Sequence, residues 1–173
     1  REYFRAITRA REQQKAAENY TNTRKYLALI AHNNMKQSLM EFCGMHSRKL
    51  EKFPLIATGT TGSMLHKKTG LVLSKKVASG PLGGDQAVGT LISTRNIIGV
   101  IFFRDPLSPH PHHADIEALG RLCDVYQVPF ATNPQSGEAI LDYLLSGKSE
   151  RESIPNHVLQ TYIQGQTKVV EAG

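Results

Sequence analysis

Cysteine is nearly missing from this chain. Cys43 and Cys123 stand alone, far apart and without metal-ligand spacing. That excludes a disulfide framework and a thiolate metal site, and predicts two buried thiols in a reducing compartment, with the cytoplasm as the expected location. Long apolar runs are also lacking. No stretch approaches the ~20 residues needed to span a bilayer, so no membrane partner is expected, and the chain, which begins at Arg1, shows no signal-peptide pattern. Internal repeats and low-complexity tracts are absent. So is an extended field of one charge. The formal net charge is +6, but seven Lys/Arg against three Glu within residues 1–25 supply +4 of it. A basic tail on a near-neutral body, with no base-stacking aromatics or recognisable motif, predicts no nucleic-acid partner. Nucleotide fingerprints are missing too. Thr58-Gly59-Thr60-Thr61-Gly62 is not followed by Gly-Lys-Ser/Thr, and the turn His32-Asn33-Asn34 after the first apolar run has no glycine.

What remains is the make-up of a soluble globular domain: 173 residues, 40% apolar and 21% charged. Residues 1–24 carry a thin apolar stripe (Tyr3, Phe4, Ile7, Ala10, Ala17 and Tyr20) and read as a basic helical extension. Residues 25–147 read as one α/β domain and 148–173 as a C-terminal tail. Within the domain, short apolar runs at Tyr26–Ala31, Phe53–Ala57, Ile97–Phe103 and Val128–Ala131, with a more polar extended segment at Leu71–Val77, predict five strands. Helical patterns separate them: one from Met35 through Phe42, then about Ser63–Thr69, Ala87–Arg95, Ile116–Tyr126 and Ser136–Leu145. Strict alternation predicts right-handed βαβ crossovers, hence a small doubly wound, Rossmann-like parallel sheet with helices on both faces.

Polar residues collect just past the C-terminal end of each predicted strand, where open parallel sheets bind ligands. His32, the Thr58–Gly62 cluster, Ser79–Asp85, Asp105 and Thr132 all fall there. Thr58, Gly59, Thr60 and Thr61 precede a helix, where free N–H groups and the helix dipole suit a phosphate-sized anion. Lys36, one helical turn after His32, adds a cation. The segment Ser79-Gly80-Pro81-Leu82-Gly83-Gly84-Asp85-Gln86 combines a permissive backbone with one acid, the only Asp or Glu between Glu51 and Asp105. His110, His112 and His113 follow in a proline-broken loop that suits no metal site, so one of the three is expected to aim at a pocket and the others at solvent. Asp85, Asp105 and Asp115 would converge beside that histidine. A carboxylate next to an imidazole over a phosphate site suits proton abstraction beside a carbonyl, on a small phosphorylated metabolite and with no metal or other cofactor.

These residues resemble the methylglyoxal synthases. The resemblance rests on Ile30-Ala31-His32 with Lys36, Ala57-Thr58-Gly59-Thr60-Thr61-Gly62, Ser79–Gln86, Asp105-Pro106-Leu107, Pro111-His112 with Asp115, and Ala131-Thr132-Asn133, and spans roughly Tyr26–Leu145. It implies a lyase, acting in a glycolytic bypass, that converts dihydroxyacetone phosphate to methylglyoxal and inorganic phosphate. Asp85 would be the base, and His112 would bind and move protons at the substrate oxygens. Asp105 and Asp115 would be supporting carboxylates, and His32, Lys36, Thr58, Gly59, Thr60, Thr61, Ser79 and Gly80 would hold the substrate. A homohexamer inhibited by phosphate is implied as well. The chain departs from the family at Asn33 and His113, where acidic residues are usual, and offers no arginine after Pro155 to reach a neighbouring site. A non-catalytic phosphometabolite-binding module, as in the regulatory domain of carbamoyl-phosphate synthetases, is the alternative.

Overall fold

The computed structural model describes residues 26–148 and 154–172, so the basic helix expected over residues 1–24 lies outside the described residues. The five expected strands form: β1 Tyr26–Ala31, β2 Leu55–Thr58, β3 Lys75–Val77, β4 Ile97–Phe103 and β5 Phe130–Ala131. They pair in the order β3-β2-β1-β4-β5, and every pairing is parallel. Between and after them run α1 Lys36–Met45, α2 Ser47–Leu50, α3 Thr61–Thr69, α4 Gly84–Ser93, α5 His113–Val125, α6 Pro134–Leu145 and α7 His157–Glu171. Short 3-10 turns at Asn33–Met35 and Gly80–Leu82 lead into α1 and α4.

Period-two alternation on doubly buried strands sorts the core into two layers. Leu27 and Leu29 of β1, Leu55 and Ala57 of β2, and Ile101 and Phe103 of β4 face one way, against Leu39, Phe42, Leu65 and Leu141 of α1, α3 and α6. Ala28, Ile30, Ile56, Val100 and Phe102 face the other way, against Val88, Ile92, Ile116 and Leu119 of α4 and α5. Each Val, Leu, Ile or Phe side chain among them, fully buried, contributes about 1.5–3 kcal/mol relative to exposure, so both faces of the sheet are held shut. Cys43 on α1 and Cys123 on α5 belong to these layers as free, buried thiols. Burial pushes each up to about 12, which leaves them protonated and inert.

Differences from the sequence expectations are concentrated at element boundaries. Helix α4 starts at Gly84 rather than near Ala87, and α5 at His113 rather than Ile116. Both shifts move a polar residue of interest onto or next to a helix N-terminus: Asp85 enters the first turn of α4, and His112 becomes the N-cap of α5. The second difference is α7, within the stretch expected to be a tail. Asn156 caps it, its Oδ1 accepting from Leu159 N at 3.1 Å, while its Nδ2 donates to the Val125 carbonyl at 2.6 Å and ties the helix to the end of α5. None of its residues is buried. Val158, Leu159, Tyr162, Ile163, Val169 and Val170 recur at helical spacing along it, so the pattern is present in the sequence and the expectation of a tail passes over it. No helix among the described residues is long and apolar enough to cross a membrane.

Candidate active site

The strand order makes the β1/β4 boundary a topological switch point: from β1 the chain winds outward to β2 and β3, and β4 leads the other way to β5. Loops leaving the two central strands therefore diverge, and a crevice opens at their carboxyl ends. A cavity of about 410 Å3 lies there, walled by segments that follow β1, β2, β3 and β4. Its lining includes ten of the residues singled out in the sequence: His32, Lys36, Thr58, Gly59, Thr61, Ser79, Gly80, Asp85, Asp105 and His112.

Two others stand elsewhere. Thr60 is exposed at the N-cap of α3, where its hydroxyl accepts from Lys36 Nζ at 2.8 Å, so it braces the lysine while Thr61 turns into the cavity. Asp115 lies in the first turn of α5 and borders a separate depression of about 270 Å3 between α4 and α5, which Asp85 also borders. The expectation that one histidine of three would reach the pocket is corrected. His110 and His112 both line the cavity, and only His113 stays on the surface, 4.0 Å from Glu117. The two rings enter from a turn closed by the His113 N–H, which donates to the His110 carbonyl at 3.2 Å, with Pro111 between them.

Asp85 and His112 are the reactive-looking pair. Asp85 Oδ2 lies 3.5 Å from His112 Nε2, and the two side chains are 1% and 10% exposed. Burial raises the Asp85 carboxyl above its ordinary value and Asp115 adds to the rise, while His112 partly opposes it. The result is a carboxylate with more proton affinity than a solvated one, suited to a general base. Gly80 is the residue that permits the pairing. A Cβ there would stand 2.9 Å from His112 Nε2 and 3.1 and 3.3 Å from the two Asp85 oxygens, filling the space between them. Gly84 has a different reason: a Cβ would collide with the Ala78 backbone carbonyl, so only glycine lets the turn into α4 close.

His32 is neutral and has a defined tautomer. The Asp105 N–H donates to its Nδ1 at 2.9 Å, which leaves the ring proton on Nε2. Burial, then the neighbouring His110 and His112 imidazoles, lower it from 6.5 to about 4 against the opposing pull of Asp105. Asp105 itself is held far below the usual carboxylate range, at about 2, by the Ser108 hydroxyl, the Asn34 amide and the Leu107 N–H. The Asn34 contact is 2.8 Å and the Leu107 contact 3.0 Å. A carboxyl so occupied is a structural anion that fixes the loop after β4, and its main chain orients His32.

Among the described residues, five buried polar atoms have no hydrogen-bond partner: His32 Nε2, Thr61 Oγ1, both carboxylate oxygens of Asp85, and His112 Nδ1. Each such atom costs about 1–3 kcal/mol when left unpaired. All belong to side chains that line the switch-point cavity, so the fold sets a donor-rich, acid-bearing surface against whatever enters. Among the described residues there is no cluster of His, Cys, Asp and Glu able to hold a metal ion.

Sheet order, crevice and residue set together define a doubly wound α/β domain with a buried carboxylate–imidazole pair at its switch point. Comparison with known proteins makes the class specific. The family described as "MGS-like domain" matches residues 38–132. A methylglyoxal synthase of Saccharophagus degradans is 44% identical over 146 residues, 84% of this chain and 93% of that protein. One of Clostridioides difficile is 49% identical over 122 residues, 70% of this chain and 88% of that protein. The crystal structure of methylglyoxal synthase from Elizabethkingia anophelis superposes with a TM-score of 0.64 at 39% identity, covering 77% of this chain and 94% of that one. The chain belongs to the methylglyoxal synthase family, a family of lyases.

Three functional contacts escaped the sequence reading. Asn34 restrains Asp105, the Asp105 N–H sets the His32 tautomer, and His110 packs on the His32 ring. Only His110 had a sequence signal, as one of three clustered histidines. The other two contacts depend on β1 and β4 being neighbours, which residue order along the chain does not disclose.

Proposed function

We propose that this chain converts dihydroxyacetone phosphate to methylglyoxal and inorganic phosphate. The observation that carries the reading is the set of unpaired polar atoms on four side chains, His32, Thr61, Asp85 and His112, all lining the switch-point cavity. A ligand with a carbonyl oxygen, an acidic C–H and a phosphate matches that set: an acceptor for each donor, and a proton for the Asp85 carboxylate.

On this reading Asp85 removes a proton from the hydroxymethyl carbon. The electron pair forms the C=C bond of an enediolate as the carbonyl oxygen takes up negative charge. His32, neutral and bearing its proton on Nε2, donates to that oxygen. A neutral imidazole is well suited here, because it stabilises the developing charge without giving up its proton. His112 stands beside Asp85 and moves protons between the two substrate oxygens. The enediolate then collapses with cleavage of the C–O bond to phosphate, and the enol left behind takes a proton on carbon to become methylglyoxal. Elimination requires that C–O bond to lie roughly perpendicular to the enediolate plane, so the phosphate grip decides the outcome. The grip is assigned to the Thr58–Thr61 turn with the N-terminus of α3, to Lys36, and to Ser79 and Gly80. Thr60 acts through Lys36, and Asp105 and Asp115 act as supporting carboxylates, the one through His32 and the other through its charge on Asp85.

Residues 25–147 form the catalytic unit on this reading, with 1–24 and 148–173 as extensions. The same reading carries a cytoplasmic homohexamer that bypasses the later steps of glycolysis and is inhibited by its phosphate product.

Incubation with dihydroxyacetone phosphate, with methylglyoxal and phosphate both measured, tests the assignment. Equal yields of the two are expected. Phosphate binding without either product would instead make the chain a regulatory ligand-binding module. Lys36→Ala should chiefly weaken substrate binding, raising KM about tenfold or more with a smaller change in kcat. An unchanged KM would remove Lys36, and Thr60 with it, from the phosphate grip.

A further inference from the structure

His110 has no part in the chemistry above, yet its ring is stacked on His32, with centroids 3.6 Å apart and planes inclined by 22°. Phe102 meets another side of the His32 ring edge-on, at 5.0 Å and 76°. Pro109 and Pro111 bracket His110, and each restricts the backbone beside it, so the ring is presented from a stiff segment. The His110 Nε2 lies 3.4 Å from the Asp105 carbonyl oxygen, an approach that suits an Nε2–H donor. The N–H of that same Asp105 donates to His32 Nδ1. Asp105 is thus held through both its main-chain groups, one by each imidazole.

We propose that His110 is a positioning residue. Its stacked ring confines the His32 imidazole so that Nδ1 stays on the Asp105 N–H and the Nε2 proton points into the cavity. A single hydrogen bond leaves an imidazole free to swing about the bond axis. A ring stacked at van der Waals distance removes that swing, and the contact to the Asp105 carbonyl keeps the wall in register with the donor. The groups that bear on the charge of His32 are His110, His112, Asp105 and Arg104. Three of these four discourage a proton on Nδ1, and His110 stands face to face with the ring. What the Nε2 proton acts on rests on the proposed function; the confinement of the ring does not.

The test reads His32 directly in the ligand-free, full-length protein. Long-range 15N–1H correlation of labelled histidines at neutral pH should show His32 protonated on Nε2 and not on Nδ1. In His110→Ala the two signals should move toward tautomer averaging, and the titration of His32 should shift to higher pH. The same variant should lose about tenfold in kcat with KM changed less than about twofold. His110→Phe, which keeps a stacking ring but has no donor, should recover the His32 pattern and most of the turnover. A His32 pattern and titration in His110→Ala identical to wild type would overturn the proposal. So would an Nδ1 proton on His32 in wild type, or a folded His110→Phe that behaves like His110→Ala. If the wild-type protein made no methylglyoxal while His110→Ala still shifted the His32 signals, the positioning role would stand and the reaction assignment would fall.

Discussion

Asp85→Asn is expected to lower turnover by on the order of 10²–10⁴-fold or more, the scale set by removal of a positioned base. The amide is nearly isosteric with the carboxylate and lines the same cavity, so a phosphorylated substrate analogue should bind about as well as it does to wild type. The substitution should also make the protein more stable at neutral pH. Burial raises the Asp85 carboxyl in the folded state above its unfolded value of 3.8. A group with a raised folded pKa binds its proton more tightly when folded, so ionisation at neutral pH works against the fold. That penalty is present above the raised value and fades as pH falls through it. Urea unfolding should therefore show Asp85→Asn more stable than wild type near pH 7.5, with the gap closing in acid. The wild-type rate should decline as pH falls through that same raised value, because the base is lost when it takes up its proton. Turnover surviving the substitution would remove Asp85 from the base role. A variant less stable than wild type at neutral pH would remove the cost of burying its charge.

Gly80→Ala is the second large effect. The added methyl would lie 2.9 Å from His112 Nε2 and 3.1 and 3.3 Å from the Asp85 oxygens, so the imidazole must move away from the carboxylate. Displacement of a reacting group by about 1 Å costs on the order of 10²-fold in rate, and that loss in kcat/KM is expected here. The fold should survive, because the crowding atoms are side-chain termini at a cavity and the main chain keeps its course. Circular dichroism and the unfolding midpoint should stay close to wild type. Gly84→Ala, whose methyl meets the Ala78 backbone carbonyl, should instead lower stability and drag activity down with it. Full activity in Gly80→Ala would mean that the spacing between His112 and Asp85 does not matter to the reaction.

Much of this molecule is legible along the chain. The continuous apolar runs at Tyr26–Ala31 and Ile97–Phe103 can be satisfied only by strands covered on both faces, and the helical patterns between them supply the covers. Loops at strand ends must carry the polar groups, because strand interiors cannot, so residue order alone places His32, Thr58–Thr61, Ser79–Asp85 and Asp105 on one edge. The lone acid between Glu51 and Asp105 was visible as an oddity for the same reason.

Tertiary structure decided the rest. Strand order is set by which apolar faces pack together, and it alone made β1 and β4 neighbours, bringing the Asp105 N–H to His32 Nδ1 and so choosing the proton-bearing nitrogen. Helix phase chose between adjacent threonines, turning Thr61 inward and leaving Thr60 to brace Lys36. The start of α4 at Gly84, earlier than residue propensity suggests, put Asp85 into a helix turn and buried it. Burial is a property of the whole fold, and it is what separates a solvated aspartate from a base. The sequence by itself determined which chemical groups reach the crevice; packing determined their protonation, their aim and their distance from one another.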